Sequence, residues 1–290
     1  MSMAQTEKYY LPEPSGWPIV GSLALMVMAI GGVMTMRDID HGGWVLLAGV
    51  AILFYMMFGW FGEVIRASEA GKFNRQVDSS YRWSMSWFIF SEVMFFAAFF
   101  GALFYTRVLS VPWLGEGDTM QQLWPNFKAV WPTAGPGLTG GPDGVKFTPM
   151  AAWGIPAINT LLLLSSGVTV TWAHWGLKKN NRSQLILGLA ATVVLGATFL
   201  GLQAFEYHHA YTEMGLTLGA GAYGATFFML TGFHGFHVLV GTTMLIVILL
   251  RSMAGHFTPE HHFAFEAVSW YWHFVDVVWV LLFILVYWMI

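Results

Sequence analysis

Cysteine is missing from all 290 residues. That excludes disulfides, thiolate metal sites and a covalently attached c-type haem. Charge is scarce too: Asp, Glu, Lys and Arg make up 10% of the chain, against about a quarter in soluble globular domains. With a net charge of only −3, no basic field exists to draw in nucleic acid, and none is expected as a partner. The N-terminus lacks a basic stretch leading into a short apolar run and a small-residue cleavage site, so a cleaved signal peptide is not expected. No internal repeat is visible, which weighs against an inverted-repeat transporter.

What remains is 56% hydrophobic, with the charges gathered into clusters between long apolar runs. That is the pattern of a polytopic helical membrane protein. Runs at 17–36, 43–62, 83–108, 150–177 and 184–205 are followed by one that opens from the glycine-rich stretch 215–224 and ends at Leu250. A last run covers 265–290. The expected fold is all-α with seven transmembrane helices. Glu63, Arg66, Lys72, Arg75 and Arg82 make the densest charged loop. The connection 110–149 is the longest and is rich in Pro, Gly and Trp. Loops of such length without periodicity are usually functional or interface-forming. Trp113, Trp124 and Trp131 suit an interfacial segment, and the loop is expected to order only by docking.

Lys and Arg orient the chain. With the N-terminus inside, nine fall on the inner side (Lys8, Arg66, Lys72, Arg75, Arg82, Lys178, Lys179, Arg182, Arg251) and four outside (Arg37, Arg107, Lys128, Lys146). The bias predicts a cytoplasmic N-terminus and an outer C-terminus. Tyr81-Arg82-Trp83 and Trp270-Tyr271-Trp272 suit aromatic belts at the interfaces.

Between Arg82 and Arg107 the only charge is Glu92, set among Phe88, Ile89, Phe95, Phe96 and Phe99. Its own helix offers no partner apart from Ser91. A carboxylate at that depth costs a few kcal/mol or more unless it is protonated or paired, and it reads as functional. Asp276 lies ten residues from Glu266, as Glu92 lies ten from Arg82. Both acids therefore sit roughly 15 Å into the membrane from the inner face, and a shared buried polar network with His234, His237 and His273 is expected.

The histidines favour hydrogen bonding over metal. A di-iron carboxylate bundle needs Glu-x-x-His on two helices plus two further Glu, and only Glu206 with His209 has that spacing. His237 and His273 are candidate axial ligands for a bis-His haem, but nothing in their spacing singles them out. Inside bundles, imidazoles commonly bond across helices, and no metal or catalytic residue is expected in this chain. Arg66 and Arg251 both end spans on the inner face, with Glu63 and His256 close by. Guanidinium forks pair well with lipid phosphate; the plainer alternative is topology charge.

Several motifs then add up. Phe-Ile-Phe-Ser-Glu-Val-Met-Phe-Phe (88–96), Asn159-Thr160 with the run from Ser166 to His174, and Gln203-Ala-Phe-Glu-Tyr207 come in order. They are followed by Thr231-Gly-Phe-His-Gly-Phe-His-Val238 and the long run from Phe265 to Trp279. Together they resemble subunit III of haem–copper cytochrome c oxidases, here of a bacterial type. The resemblance implies a chain without haem or copper that binds phospholipid. Its main partner would be catalytic subunit I, and subunit II would join them in an inner membrane. Residues 1–66 would form a tail and two-helix pair splayed from a five-helix bundle at 67–290, with 110–149 as its outer loop.

By the same resemblance, Glu92 matches the family's carbodiimide-reactive carboxylate, and Arg66, Arg251 and His256 match its lipid head-group residues. Trp60 matches a cleft tryptophan, while Phe61 replaces the second of the usual pair; Glu63 joins this lipid set. Where many bacterial relatives carry an N-terminal histidine, this chain has Glu7, Lys8 and Tyr9. The complex would reduce dioxygen with electrons from cytochrome c and pump protons, with this subunit sustaining proton uptake. The residues agree: absent thiols exclude a copper-bearing subunit II, and seven spans are too few for the usual subunit I. The alternatives are a quinol oxidase subunit III, a type that usually lacks the first two helices, a proton-coupled transporter using Glu92 and Asp276, and a stand-alone iron or haem membrane enzyme.

Overall fold

A computed structural model describes residues 13–139 and 144–290, and every regular element among them is helical. Glu7, Lys8 and Tyr9 lie outside the described residues. The long helices are α1 (Trp17–Met36), α2 (Gly42–Glu69) and α3 (Arg75–Phe104). Three short ones follow, α4 (Val111–Gly115), α5 (Asp118–Leu123) and α6 (Pro136–Thr139). Then come α7 (Ile155–Lys178), α8 (Arg182–Thr212), α9 (Gly221–Ala254) and α10 (Phe263–Leu282). π-helical turns at Tyr105–Ser110 and Phe283–Trp288 prolong α3 and α10. Seven helical stretches among the described residues are long and apolar enough to cross a membrane. All backbone groups of such a stretch are satisfied internally, which hydrocarbon demands.

Several helices outrun their apolar cores. α2 continues through Arg66 to Glu69, and α3 begins at Arg75, where the Asn74 side chain accepts from Val77 N at 3.0 Å and caps its first turn. The fourth span starts later than its apolar run, at Ile155, because Gly154 has φ +134° and Pro156 occupies the first turn.

The chain divides into two compact units, Met1–Trp83 and Ser84–Ile290, the boundary lying within α3. In the first, α1 and α2 form an antiparallel hairpin. Small residues let the backbones approach, as membrane helices favour. A Cβ at Gly49 would stand 2.7 Å from the Met28 backbone nitrogen. Trp17 Nε1 donates to Glu63 Oε2 at 2.7 Å, tying the start of α1 to the far part of α2.

In the second unit α10 is the inner helix, packed against α7 and α9. Trp272 lies at its centre, fully buried. Its indole Nε1 donates to Ser166 Oγ on α7 at 2.8 Å. Gly196 of α8 and Gly241 of α9 leave room for its ring, since a Cβ on either would come within 2.8 Å of it. About two turns on, Trp279 Nε1 donates to Thr160 Oγ1 at 2.9 Å.

The long connection is ordered by the chain itself, not only by docking. Thr133 and Ala134 are buried, and their carbonyls accept from Tyr223 N (3.0 Å) and Ala222 N (3.1 Å) at the start of α9. Gly221, at φ +78°, admits this approach, since a Cβ there would collide with the Ala134 carbonyl. Trp131 packs edge-on against Tyr223, with ring centroids 5.7 Å apart. Those backbone donors belong to the first turn of α9, which has no intrahelical acceptors of its own.

Candidate functional site

Glu92 does find a partner, on another helix. His237 Nε2 of α9 lies 2.9 Å from Glu92 Oε2, with the two side chains 9% and 23% exposed. The other ring nitrogen, His237 Nδ1, is 2.7 Å from the Phe233 carbonyl. A carbonyl only accepts, so Nδ1 carries a hydrogen. One further proton then occupies the contact with Glu92, as a carboxylic acid donating to Nε2 or as an imidazolium donating to a carboxylate. Either way the pair is neutral as a unit, which lowers the cost of placing it in an apolar span. Phe95 and Phe96 cover the imidazole, at 5.9 and 4.9 Å between centroids. Ser91 takes no part: its hydroxyl donates back to the Phe88 carbonyl at 2.6 Å.

The other expected members do not join this pair in one network. His273 Nδ1 lies 3.6 Å from Asp276 Oδ2, and Nε2 lies 3.2 Å from Thr171 Oγ1 on α7. The Asp276 side chain is 8% exposed but that of His273 is 44% exposed, so this imidazole stands at the edge of the unit. His234 is buried and its Nε2 donates to the Val275 carbonyl at 3.2 Å. The two matched acids thus each have their own histidine. Equal depth placed them at one level, whereas partnership follows from which helix faces each acid.

A third acid, Glu206, stands out in the sequence only for its spacing to His209 and as part of the Gln203–Tyr207 motif. Glu206 of α8 is 1% exposed, with Tyr223 and Tyr287 as neighbours. Its own motif, next to Gln203 and Tyr207, was the available signal. His209 turns the other way and pairs with Glu213 at 3.2 Å, so the Glu-x-x-His spacing does not converge.

In the first unit a groove of about 370 Å³ is bordered by Trp60, Glu63, Arg66, Lys72, Phe73 and Tyr81. It combines two cations, aromatic walls and two carboxylates, Glu13 and Glu63, the second of them engaged by Trp17. Phe61, exposed on α2, does not line it. In the second unit the Arg251 guanidinium lies over the Phe257 ring, 4.6 Å from its centroid, and His256 N donates to the Arg251 carbonyl at 3.1 Å as α9 ends.

Fold and site together define an all-helical, polytopic membrane protein with two intramembrane acids, Glu92 and Asp276, each beside a histidine. Residues 7–290 match the family model for cytochrome c oxidase subunit III. The chain is 43% identical over 289 residues to cytochrome c oxidase subunit 3 of Marchantia polymorpha, covering 99% of this chain and 98% of the relative. It is 40% identical over 289 residues to that of Arabidopsis thaliana, with the same coverage. Against that of Scyliorhinus canicula it is 40% identical over 285 residues, covering 98% of each. The chain belongs to the cytochrome c oxidase subunit III family.

Proposed function

We propose that this chain, the non-catalytic third subunit of a terminal oxidase, sustains proton uptake by catalytic subunit I and its stability during turnover. Subunits I and II are its partners, phospholipid is its bound cofactor, and haem and copper reside in the partner subunits. Its relatives carry the name cytochrome c oxidase, which favours cytochrome c over a quinol as electron donor. We place it in a bacterial plasma membrane with a cytoplasmic N-terminus and a periplasmic C-terminus. The Lys and Arg asymmetry supports the orientation. The relatives named above are eukaryotic, so the bacterial source rests on the sequence resemblance alone.

The observation that carries this reading is the Glu92–His237 pair. It holds one exchangeable proton inside a span, next to aromatic side chains and away from any redox chemistry of its own. Such a pair tunes protons and packing without performing catalysis. Glu92→Gln is the direct test, because an amide still donates to Nε2 while the acid is lost. The expected complex is assembled and haem-replete, starts reducing oxygen at close to the wild-type rate, and inactivates during turnover at a modestly altered rate. Glu92→Leu, which also removes the interhelical bond, should weaken attachment of α3 to α9 by about 1 kcal/mol. Complete loss of initial oxygen reduction in an assembled, haem-replete Glu92→Gln complex refutes the reading.

A further inference from the structure

Away from the histidine pairs, one end of the second unit gathers polar side chains that the protein itself leaves unsatisfied. Gln203 and Glu206 lie one turn apart on α8, and Asn159 lies near the start of α7. Tyr223 lies in the first turn of α9, and Tyr287 stands in the π-helical turns that prolong α10. None of the five is more than 5% exposed. Glu206 comes 24 residues after Arg182, roughly 36 Å along α8. The group therefore lies at the end of the unit opposite the α7–α8 connection.

Six buried atoms in this group close no direct hydrogen bond: Asn159 Oδ1, Gln203 Nε2, both Glu206 carboxyl oxygens and the hydroxyls of Tyr223 and Tyr287. The Tyr287 hydroxyl looks toward Glu206 and Gln203, and that of Tyr223 toward the Met150 backbone, without reaching bonding geometry. One long bond of 3.4 Å runs within the group, from Asn159 Nδ2 to Gln203 Oε1. Exchanging nitrogen and oxygen in both amides still leaves one donor and one acceptor over.

Buried polar groups are costly unless something bonds them. Among the described residues Glu206 has no cationic partner, since His209, three positions on, pairs with Glu213. A bare carboxylate there would be costlier still, so Glu206 is held as the carboxylic acid. Donors at Gln203 and the tyrosines then mingle with acceptors at Asn159 and Glu206. A cation would satisfy the oxygens but repel the amide hydrogens. Water both donates and accepts, and it suits the whole set.

We propose that Asn159, Gln203, Glu206, Tyr223 and Tyr287 form a closed site for internal water, in which Glu206 holds a proton that the bound water exchanges. The connection 110–149 supplies its cover. Phe147 stacks on the Tyr223 ring, with centroids 5.4 Å apart and planes 10° from parallel, while Trp131 meets the same ring edge-on. Thr148 N donates to the Met214 carbonyl at 2.9 Å and fastens the connection beyond the end of α8. Water in this site joins α7, α8, α9 and the end of α10 through one hydrogen-bonded set. Glu206 is thus a second proton-holding acid, separate from Glu92 on α3.

The test uses the intact oxidase complex containing this chain, wild type and Glu206→Gln, by infrared spectroscopy in light and heavy water. The wild-type-minus-variant spectrum should show the carbonyl band of a protonated carboxylic acid, moved to lower frequency in heavy water. A high-resolution electron cryo-microscopy map of the wild type should show water density touching Glu206, Tyr223 and Tyr287. A carboxylate band in place of the acid band overturns the proposal, as does an acid band indifferent to heavy water. So does a map in which these side chains meet directly or enclose a bound cation. Should Glu206→Gln fail to assemble, Tyr287→Phe replaces it and removes one hydroxyl. The acid band should then move to higher frequency, and an unmoved band overturns the proposal. These readouts do not involve Glu92 or proton uptake, so their failure leaves the proposed role of Glu92 standing.

Discussion

Single residues set how closely the helices of the second unit approach. Trp272 is the clearest case, with its ring between Gly196 and Gly241 and its N–H on Ser166. A Cβ at Gly196 would stand 2.8 Å from the indole Cη2 and 3.0 Å from Thr242 Oγ1. Gly196→Ala should therefore overpack the centre and cost about 1–3 kcal/mol. It would show as a lower midpoint for loss of this subunit from the complex in mild denaturing detergent. Gly201→Ala is the control on the same helix, because nothing lies within 4 Å of a Cβ there. At an open helical position the change should be neutral or stabilising by up to about 1 kcal/mol. Equal destabilisation by both would mean that contact with Trp272 does not govern the effect at Gly196. From the sequence, Trp272 reads as part of an interfacial aromatic belt. A tryptophan at an interface and one inside a bundle share composition, and only the glycines on two other helices distinguish them.

Among the elements, α3 shows what a linear reading reaches. Its apolar run and lone acid are legible because both are local: length sets a span, and a charge inside a span demands a partner. The partner is not legible, since His237 lies 145 residues downstream and adjacency of α3 and α9 leaves no mark on either. Helix ends are blurred for the opposite reason. Polar residues such as Arg66 and Arg75 interrupt the apolar pattern without interrupting backbone hydrogen bonding. The extension of α2 beyond its apolar run matters functionally, because it carries Arg66 and the groove residue Ala67 along one continuous helix. Each basic residue near an anionic lipid surface contributes about 1 kcal/mol. Arg66→Ala should accordingly weaken retention of an anionic phospholipid about fivefold, read by native mass spectrometry of the detergent-solubilised complex. Arg251→Ala should do the same at the end of α9, where the guanidinium is already positioned over Phe257. Unchanged lipid retention in both would mean that these arginines serve only as topology charge.

For the whole molecule, orientation decides which compartment each surface meets. With nine of its thirteen Lys and Arg assigned to one side, the chain should hold the α2–α3 and α7–α8 connections in the cytoplasm and the 110–149 connection outside. The absence of cysteine turns this into a clean measurement, because any introduced thiol is the only one in the chain. Ala70→Cys, Thr119→Cys and Lys179→Cys all fall at exposed positions outside the apolar cores. In intact cells a membrane-impermeant maleimide should label the Thr119→Cys protein alone. Labelling at Ala70→Cys and Lys179→Cys should require permeabilisation. The opposite pattern would invert the protein. It would also move the ends of α7 and α9, with His174 and Arg251, to the outer compartment. Labelling of all three in intact cells would break the alternation of spans on which the seven-helix reading depends.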